Sequence, residues 1–299
     1  MKKLLAFILT SILVISSSAC GSSSVEDIKE PSNVAVSSSN QNTEQEEVTD
    51  TTEVTITETV LVDEAGIKIT AKGLEKDEFF GPQIKLLIEN NSGKDLTFQC
   101  RNSSVNGYMV GTMMSVDVVN GKKTNDTLTF MDSDLEKCGI ETIADMTFSF
   151  HVFDMNEWET YLDTAPIQIK TSAYDTYNYI YDDSGSLAYD GNGIKVVVKG
   201  LDNNDSFFGP SVVVYIENNS NNDITVQARN ISINEFMVDA IFSSDVTTGK
   251  RAIDTITFME SDLEANEITT IEDIELSFHI FDLNSWDTIV DTEIINISF

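Results

Sequence analysis

Gly66-Ile67-Lys68-Ile69-Thr70-Ala71-Lys72 is the stretch that decides the fold class. Ile67, Ile69 and Ala71 alternate with Lys68, Thr70 and Lys72, the period of two that gives a strand one buried and one wet face. Ile194, Val196 and Val198 repeat the pattern after Gly193. Further out, strand-like segments follow at 84–89, 95–101, 104–110, 113–119, 127–131, 146–153 and 166–170. Turn chemistry such as Asn91-Ser92-Gly93 or Asn120-Gly121 bounds them. Seven or eight short strands in about 110 residues, each with one apolar face, predict an antiparallel β-sandwich. Asn192-Gly193 reads as a tight turn joining a first strand at 187–189 to the second. Ser133-Asp134-Leu135-Glu136 and Ser261-Asp262-Leu263-Glu264 fit a capping box, so one helical turn is expected between strands.

The sandwich is expected twice. Residues 66–171 lie over 193–298 with near-continuous similarity. Phe79-Phe80-Gly81-Pro82 matches Phe207-Phe208-Gly209-Pro210, Glu89-Asn90-Asn91-Ser92 matches Glu217-Asn218-Asn219-Ser220, and Trp158 matches Trp286. A repeat of domain size means tandem domains rather than a solenoid. The expected organisation is all-β: immunoglobulin-like antiparallel sandwiches at 59–172 and 187–299, joined by a linker at 173–186.

The N-terminus reads as an address. Lys2 and Lys3 precede an apolar run from Leu4 to Ile15, and small residues lead to Cys20. The run is too short and wrongly flanked for a membrane span. Residues 1–20 resemble a bacterial lipoprotein signal, in which such a Cys is lipidated and becomes the mature N-terminus; the competing reading is ordinary cleavage near Ala19. The resemblance implies attachment through lipid to the outer face of the cell membrane. Residues 21–58 carry Ser, Thr, Asn, Gln and Glu with little apolar surface to offset ordering entropy, and read as a disordered stalk. As a random coil the stalk spans roughly 35 Å.

Gly66-Ile67-Lys68, Ile88-Glu89-Asn90-Asn91-Ser92, and Val118 to Lys122 with its copy Val246 to Lys250 resemble modules of an uncharacterised Firmicute lipoprotein family. Those modules are similar to telokin-like, immunoglobulin-like extracellular domains. The resemblance implies a fold and a cell-envelope location, and brings no catalytic residues.

With 18 Lys plus Arg against 50 Asp plus Glu, the formal charge is −32. Such a field repels nucleic acid. His151 and His279 are the two histidines and occupy equivalent positions. One reading makes each half of a metal site; the favoured one is a surface histidine on an outward face beside Phe153 or Phe281, since zinc wants several converging donors. Cys100 and Cys138 are both replaced in the second copy, by Ala228 and Asn266. Their joint absence suggests a disulfide, with two unrelated thiols as the competing reading; neither supports redox chemistry. Acidic groups at Glu75, Asp77 and Glu78, at Asp182 and Asp183, and at Asp202 and Asp205 read as solvated carboxylates rather than calcium ligands. Phe79, Phe80, Phe207 and Phe208 are candidate binding-loop aromatics, or else caps on the open end of each sandwich. Tyr174, Tyr177, Tyr179 and Tyr181 crowd the linker, to stack on a glycan or to pack the domain contact.

No nucleophile elbow, metal cluster or phosphate loop is present in the sequence. The expectation is a non-catalytic surface module, without metal or cofactor, that binds a protein or envelope polymer or acts as a spacer. The alternative is an extracellular hydrolase using paired carboxylates.

Overall fold

The alternating segments form strands, though 95–101 and the start of 104–110 are one strand and 113–119 is divided between two, and the two copies build the same eleven. The computed structural model describes residues 54–202 and 209–299. In the first copy these are β1 (Thr59–Glu64), β2 (Ile67–Asp77), β3 (Gly81–Asn90), β4 (Leu96–Val105), β5 (Tyr108–Met109), β6 (Thr112–Met113), β7 (Ser115–Val118), β8 (Lys122–Phe130), β9 (Asp145–Asp154), β10 (Thr160–Asp163) and β11 (Ile167–Lys170). The second copy repeats them as β12 (Ser186–Gly191), β13 (Ile194–Asp202), β14 (Ser211–Asn218), β15 (Ile224–Ile233), β16 (Phe236–Met237), β17 (Ala240–Ile241), β18 (Ser243–Val246), β19 (Lys250–Phe258), β20 (Asp273–Asp282), β21 (Thr288–Asp291) and β22 (Ile295–Ser298). Helices α1 (Asp132–Lys137) and α2 (Glu260–Ala265) sit between the eighth and ninth strand of each copy.

In the first sandwich one layer runs β1-β2-β3-β8-β6, and the other places β9 between β4 and the pair β10 and β11. Ile69, Ile84, Leu86, Phe98, Phe130, Phe148 and Phe150 fill the space between them. Ile194, Val214, Ile216, Val226, Phe258, Phe278 and Ile280 do so in the second. Burial of seven large side chains, each contributing roughly 1.5–3 kcal/mol, is the main stabilising term of each sandwich.

Two motifs shared by the copies are structural. Asn90 is fully buried: its Nδ2 donates to the carbonyls of Lys94 and Val118, and its Oδ1 accepts from Ser92 N and Oγ. Asn218 makes the same four bonds with Asn222, Val246 and Ser220. All its capacity is used, so the Glu-Asn-Asn-Ser turn ties β3 to β7 and has nothing left for a ligand. Gly81 and Gly209 have φ of 114° and 119°, and a Cβ there would fall onto the carbonyl oxygen of Phe130 or Phe258. The glycine of Phe-Phe-Gly-Pro is therefore required by close backbone approach.

Three expectations need correction. The capping box does not form. α1 begins at Asp132 with Met131 as N-cap and no side-chain cap, because Ser133 already lies inside the first turn. Asp134 reaches away instead, accepting from Gly111 N, and Asp262 accepts from Asp239 N. Residues 54–58 are not stalk: Ile56 packs on the core, and Thr55 exchanges hydrogen bonds with Ser172. Cys100 and Cys138 are free thiols. Cys100 packs on the first core, whereas Cys138 belongs to a separate cluster with Tyr108, Val197 and Tyr215.

That cluster joins the two copies. Gly107 O accepts from Arg251 N at 2.9 Å, pairing β5 with β19, so one sheet runs from the first sandwich into the second. Tyr181 of the linker stacks edge-on against Tyr108, and the Arg251 guanidinium lies 3.8 Å from its ring. Of the two readings of the linker tyrosines, this one packs the domain contact.

Candidate functional site

The candidate site lies on faces that point away from the two cores. Along β4 the inward Leu96, Phe98 and Cys100 become Ile224, Val226 and Ala228 in the second copy, while the outward Thr97, Gln99 and Arg101 recur unchanged as Thr225, Gln227 and Arg229. Along β9 the outward Ser149, His151 and Phe153 recur as Ser277, His279 and Phe281, though Thr147 becomes Glu275; the inward Met146, Phe148 and Val152 change, and Phe150 stays as Phe278. Ser115 and Asp117 recur on β18 as Ser243 and Asp245. A core tolerates apolar exchange at constant volume, and an idle surface tolerates nearly anything. On these strands most inward positions differ between the copies, and the outward ones nearest the two tryptophan hairpins do not.

On β9 and its hairpin to β10, His151, Phe153 and Trp158 form a row. The His151 and Phe153 rings are 5.5 Å apart, and Trp158 stacks on Phe153 at 5.7 Å with planes 21° apart. His279, Phe281 and Trp286 repeat the row at 5.2 Å and 5.6 Å. The tryptophans are 77% and 73% exposed, and both have positive φ, 59° and 65°. A left-handed backbone costs a bulky L-residue about 1–2 kcal/mol, and an exposed indole returns little of it through burial.

The loop that holds Trp158 is built by Asp154. Its Oδ1 accepts from Asn156 N and Glu157 N, and its carbonyl accepts from Trp158 N. Lys94 lies 2.8 Å from Oδ2, and that hydrogen bond holds the Asp154 carboxyl at about 2, below the usual carboxylate range. In the second copy Asp282 makes the same backbone bonds, to Asn284 and Ser285, which depress its pKa.

The histidines are not loose surface groups. His151 is buried to 9% exposure and its Nδ1 lies 2.5 Å from Asp163 Oδ1; His279 pairs with Asp291 at 2.6 Å. Thr97 Oγ1 donates to Asp117 and Thr225 Oγ1 to Asp245, each at 2.6 Å. Arg229 donates to Gln227 Oε1 at 2.6 Å. Each face is thus an exposed indole with a row of fixed donors and acceptors beside it. Both tryptophans, both histidines and two of the three arginines of the chain are spent on these two faces.

The sequence-derived aromatics lie elsewhere. Phe79 and Phe80 are 86% and 53% exposed at the tip of the β2–β3 hairpin, in the other layer, where Asp77 Oδ1 accepts from both their N–H groups. Phe207 and Phe208 lie outside the described residues, as does Cys20. Near that hairpin a groove of about 620 Å³ has a floor of Leu74, Pro82, Leu135 and Ile140, and a smaller one of about 390 Å³ repeats it around Leu201, Pro210, Leu263 and Ile268. Several of the acidic residues act as ion-pair partners: Glu75 with Lys85, Asp182 with Lys199, Asp183 with Lys195. Among the described residues no three His, Cys, Asp or Glu side chains converge as a metal ion would require. The signal that would have found the tryptophans was in the sequence: a Trp at the same place in both copies, four residues after an Asp that opens a turn.

No protein-family model matches this chain, and no curated protein matches it either.

Proposed function

We propose that this chain is a non-catalytic lipoprotein, held on the outer face of the cell membrane by lipid on Cys20, that binds an envelope glycan through its two outward faces. The observation that carries the reading is the duplicated, strained and exposed Trp158 and Trp286, each backed by a Phe. An indole fixed in this way presents a flat π face whose negative quadrupole suits the weakly positive C–H face of a sugar ring. Gln99, Arg101 and Asp117, with Gln227, Arg229 and Asp245, stand beside it with donors and acceptors for hydroxyls. A net charge of −32 disfavours an anionic polymer, so the glycan is neutral or amino-bearing. Two equivalent faces on one chain suit a repeating ligand, since the second contact is made at high effective concentration. The address rests on the N-terminal signal and on the resemblance to Firmicute surface lipoproteins.

Sedimentation of the intact protein with insoluble cell-wall glycan tests the reading. Trp158→Gly and Trp286→Gly are each expected to weaken retention, and the double variant to abolish it while still melting cooperatively. Full retention of the double variant would refute it. The His–Asp pairs favour one second reading, a hydrolase with an oriented base. Against it, the Ser149 hydroxyl on the same face is bonded to Arg101 O. Glycan or peptide cleavage lost on His151→Gln would favour the hydrolase.

A further inference from the structure

The two copies do not meet through equivalent surfaces. The first offers a projecting hairpin end and the second a flat row of side chains. The projection is β5 with its turn: Asn106 and Gly107 at positive φ, then Tyr108 and Met109. Its seat is a row across three paired strands, Val197 opposite Tyr215 and Tyr215 opposite Ile253, with Arg251 on the last. Tyr108 is buried there to 5% exposure, and Met109 packs against the second core and accepts from Thr247 Oγ1.

A contact between unlike surfaces leaves one of each unused at the ends of the pair. The second sandwich builds the same projection. Asn234 and Glu235 have φ of 49° and 71°, Asn234 Nδ2 donates to Thr270 O as Asn106 donates to Thr142 O, and Val238 N donates to Ile231 O as Val110 N does to Ser103 O. At its tip Phe236 and Met237 replace Tyr108 and Met109, yet they are 48% and 69% exposed. The equivalent row on the first sandwich is more polar. The row reads Thr70, Leu87 and Asn125, with Lys123 in place of Arg251. Cys138, which lines the filled contact, is Asn266 beside the open projection.

We infer that the Phe236–Met237 projection is a docking surface for a β-sandwich module of a partner protein. The matching seat is a sheet face with an aliphatic–aromatic–aliphatic row across three strands and a guanidinium beside it, as on β13, β14 and β19. The tip is apolar and its turn keeps the hydrogen bonds of the first, and the seat that a second copy of this chain would offer carries Thr70 and Asn125 on either side of Leu87. The surface therefore receives a different chain, and indefinite head-to-tail growth of this one is suppressed.

Installing the seat tests this on the full chain. The variant Thr70→Val/Leu87→Tyr/Lys123→Arg/Asn125→Ile gives the first sandwich the second one's row. By sedimentation velocity the parent is expected to stay monomeric. The variant is expected to associate with concentration, its mean mass at least about doubling, and to return to monomer when Phe236→Ser/Met237→Ser is added. The pair Lys123→Arg/Asn125→Ile changes exposed positions only, so it serves should the full set disturb folding; weaker association that needs Phe236 is expected. Variants that fold as the parent and stay monomeric would overturn the inference. So would a parent that already associates through Phe236 and Met237, because the occupant would then be a second copy.

Discussion

Trp158 lies over Phe153 with ring planes 21° apart, and its own backbone sits in the left-handed region at φ 59°. The two facts pull stability in opposite directions. Trp158→Gly relieves about 1–2 kcal/mol of backbone strain and forfeits a ring contact of about 0.5–1.5 kcal/mol. The variant is expected to melt within about 1 kcal/mol of the parent by denaturant titration while losing glycan retention at that face. A large loss of stability would mean that the indole is a structural residue.

The His–Asp pairs should separate in energy. The His151 side chain is 11% exposed and that of His279 is 24% exposed, and their partners Asp163 and Asp291 are both open to water, at 64% and 74%. His151→Ala is expected to cost about 1–2 kcal/mol, and His279→Ala less, since a buried ring loses more packing and its hydrogen bond is harder to replace with water. Equal costs would place the two rings in equivalent surroundings.

Much of this fold was legible in the alternation of residues such as Ile67, Ile69 and Ala71, and the repeat carried it to the second copy. The misreadings have local causes. Residues 95–101 and 104–110 read as two strands, but the gap between them is a bulge, with Asn102 at φ 53°, inside one strand, β4, and the true turn is Asn106-Gly107. The disulfide was inferred from two thiols vanishing together. They vanish for separate reasons. Ala228 lies opposite Phe278, where the larger Phe242 in place of Met114 packs on the same ring. Asn266, in place of Cys138, donates from Nδ2 to the Asp262 carbonyl, a local bond a thiol does not make. The candidate face stayed hidden because single-sequence periodicity reports which residues face inward and is silent about the outward ones; only laying the copies over the strands shows which outward residues recur.

The thiols give a direct check. Burial pushes Cys100 up to about 11 and Cys138 up to about 12. Both should therefore resist alkylation in the native protein at pH 8, since the thiolate is the reacting form. In the unfolded, unreduced protein both should alkylate fully, as read by mass. A missing pair of adducts would establish the bond that the structure lacks.

Acid should act on the loop that holds the first tryptophan. The hydrogen bond with Lys94 draws the Asp154 carboxyl from the ordinary 3.8 to about 2. A depressed carboxylate contributes stability that is complete above its unfolded pKa and is lost as the pH falls through the folded one. The contribution is thus present at pH 5 and above and fades between about pH 4 and pH 2. Asp154→Asn is expected to melt below the parent at pH 6, because it breaks the ion pair and weakens the turn bonds to Asn156 and Glu157. The gap should narrow steadily as both proteins are scanned down to pH 2, and Lys94→Met should show the same narrowing. A gap that stays constant across that range would mean that the carboxylate contributes shape alone, and that its charge has no part in holding Trp158 in place.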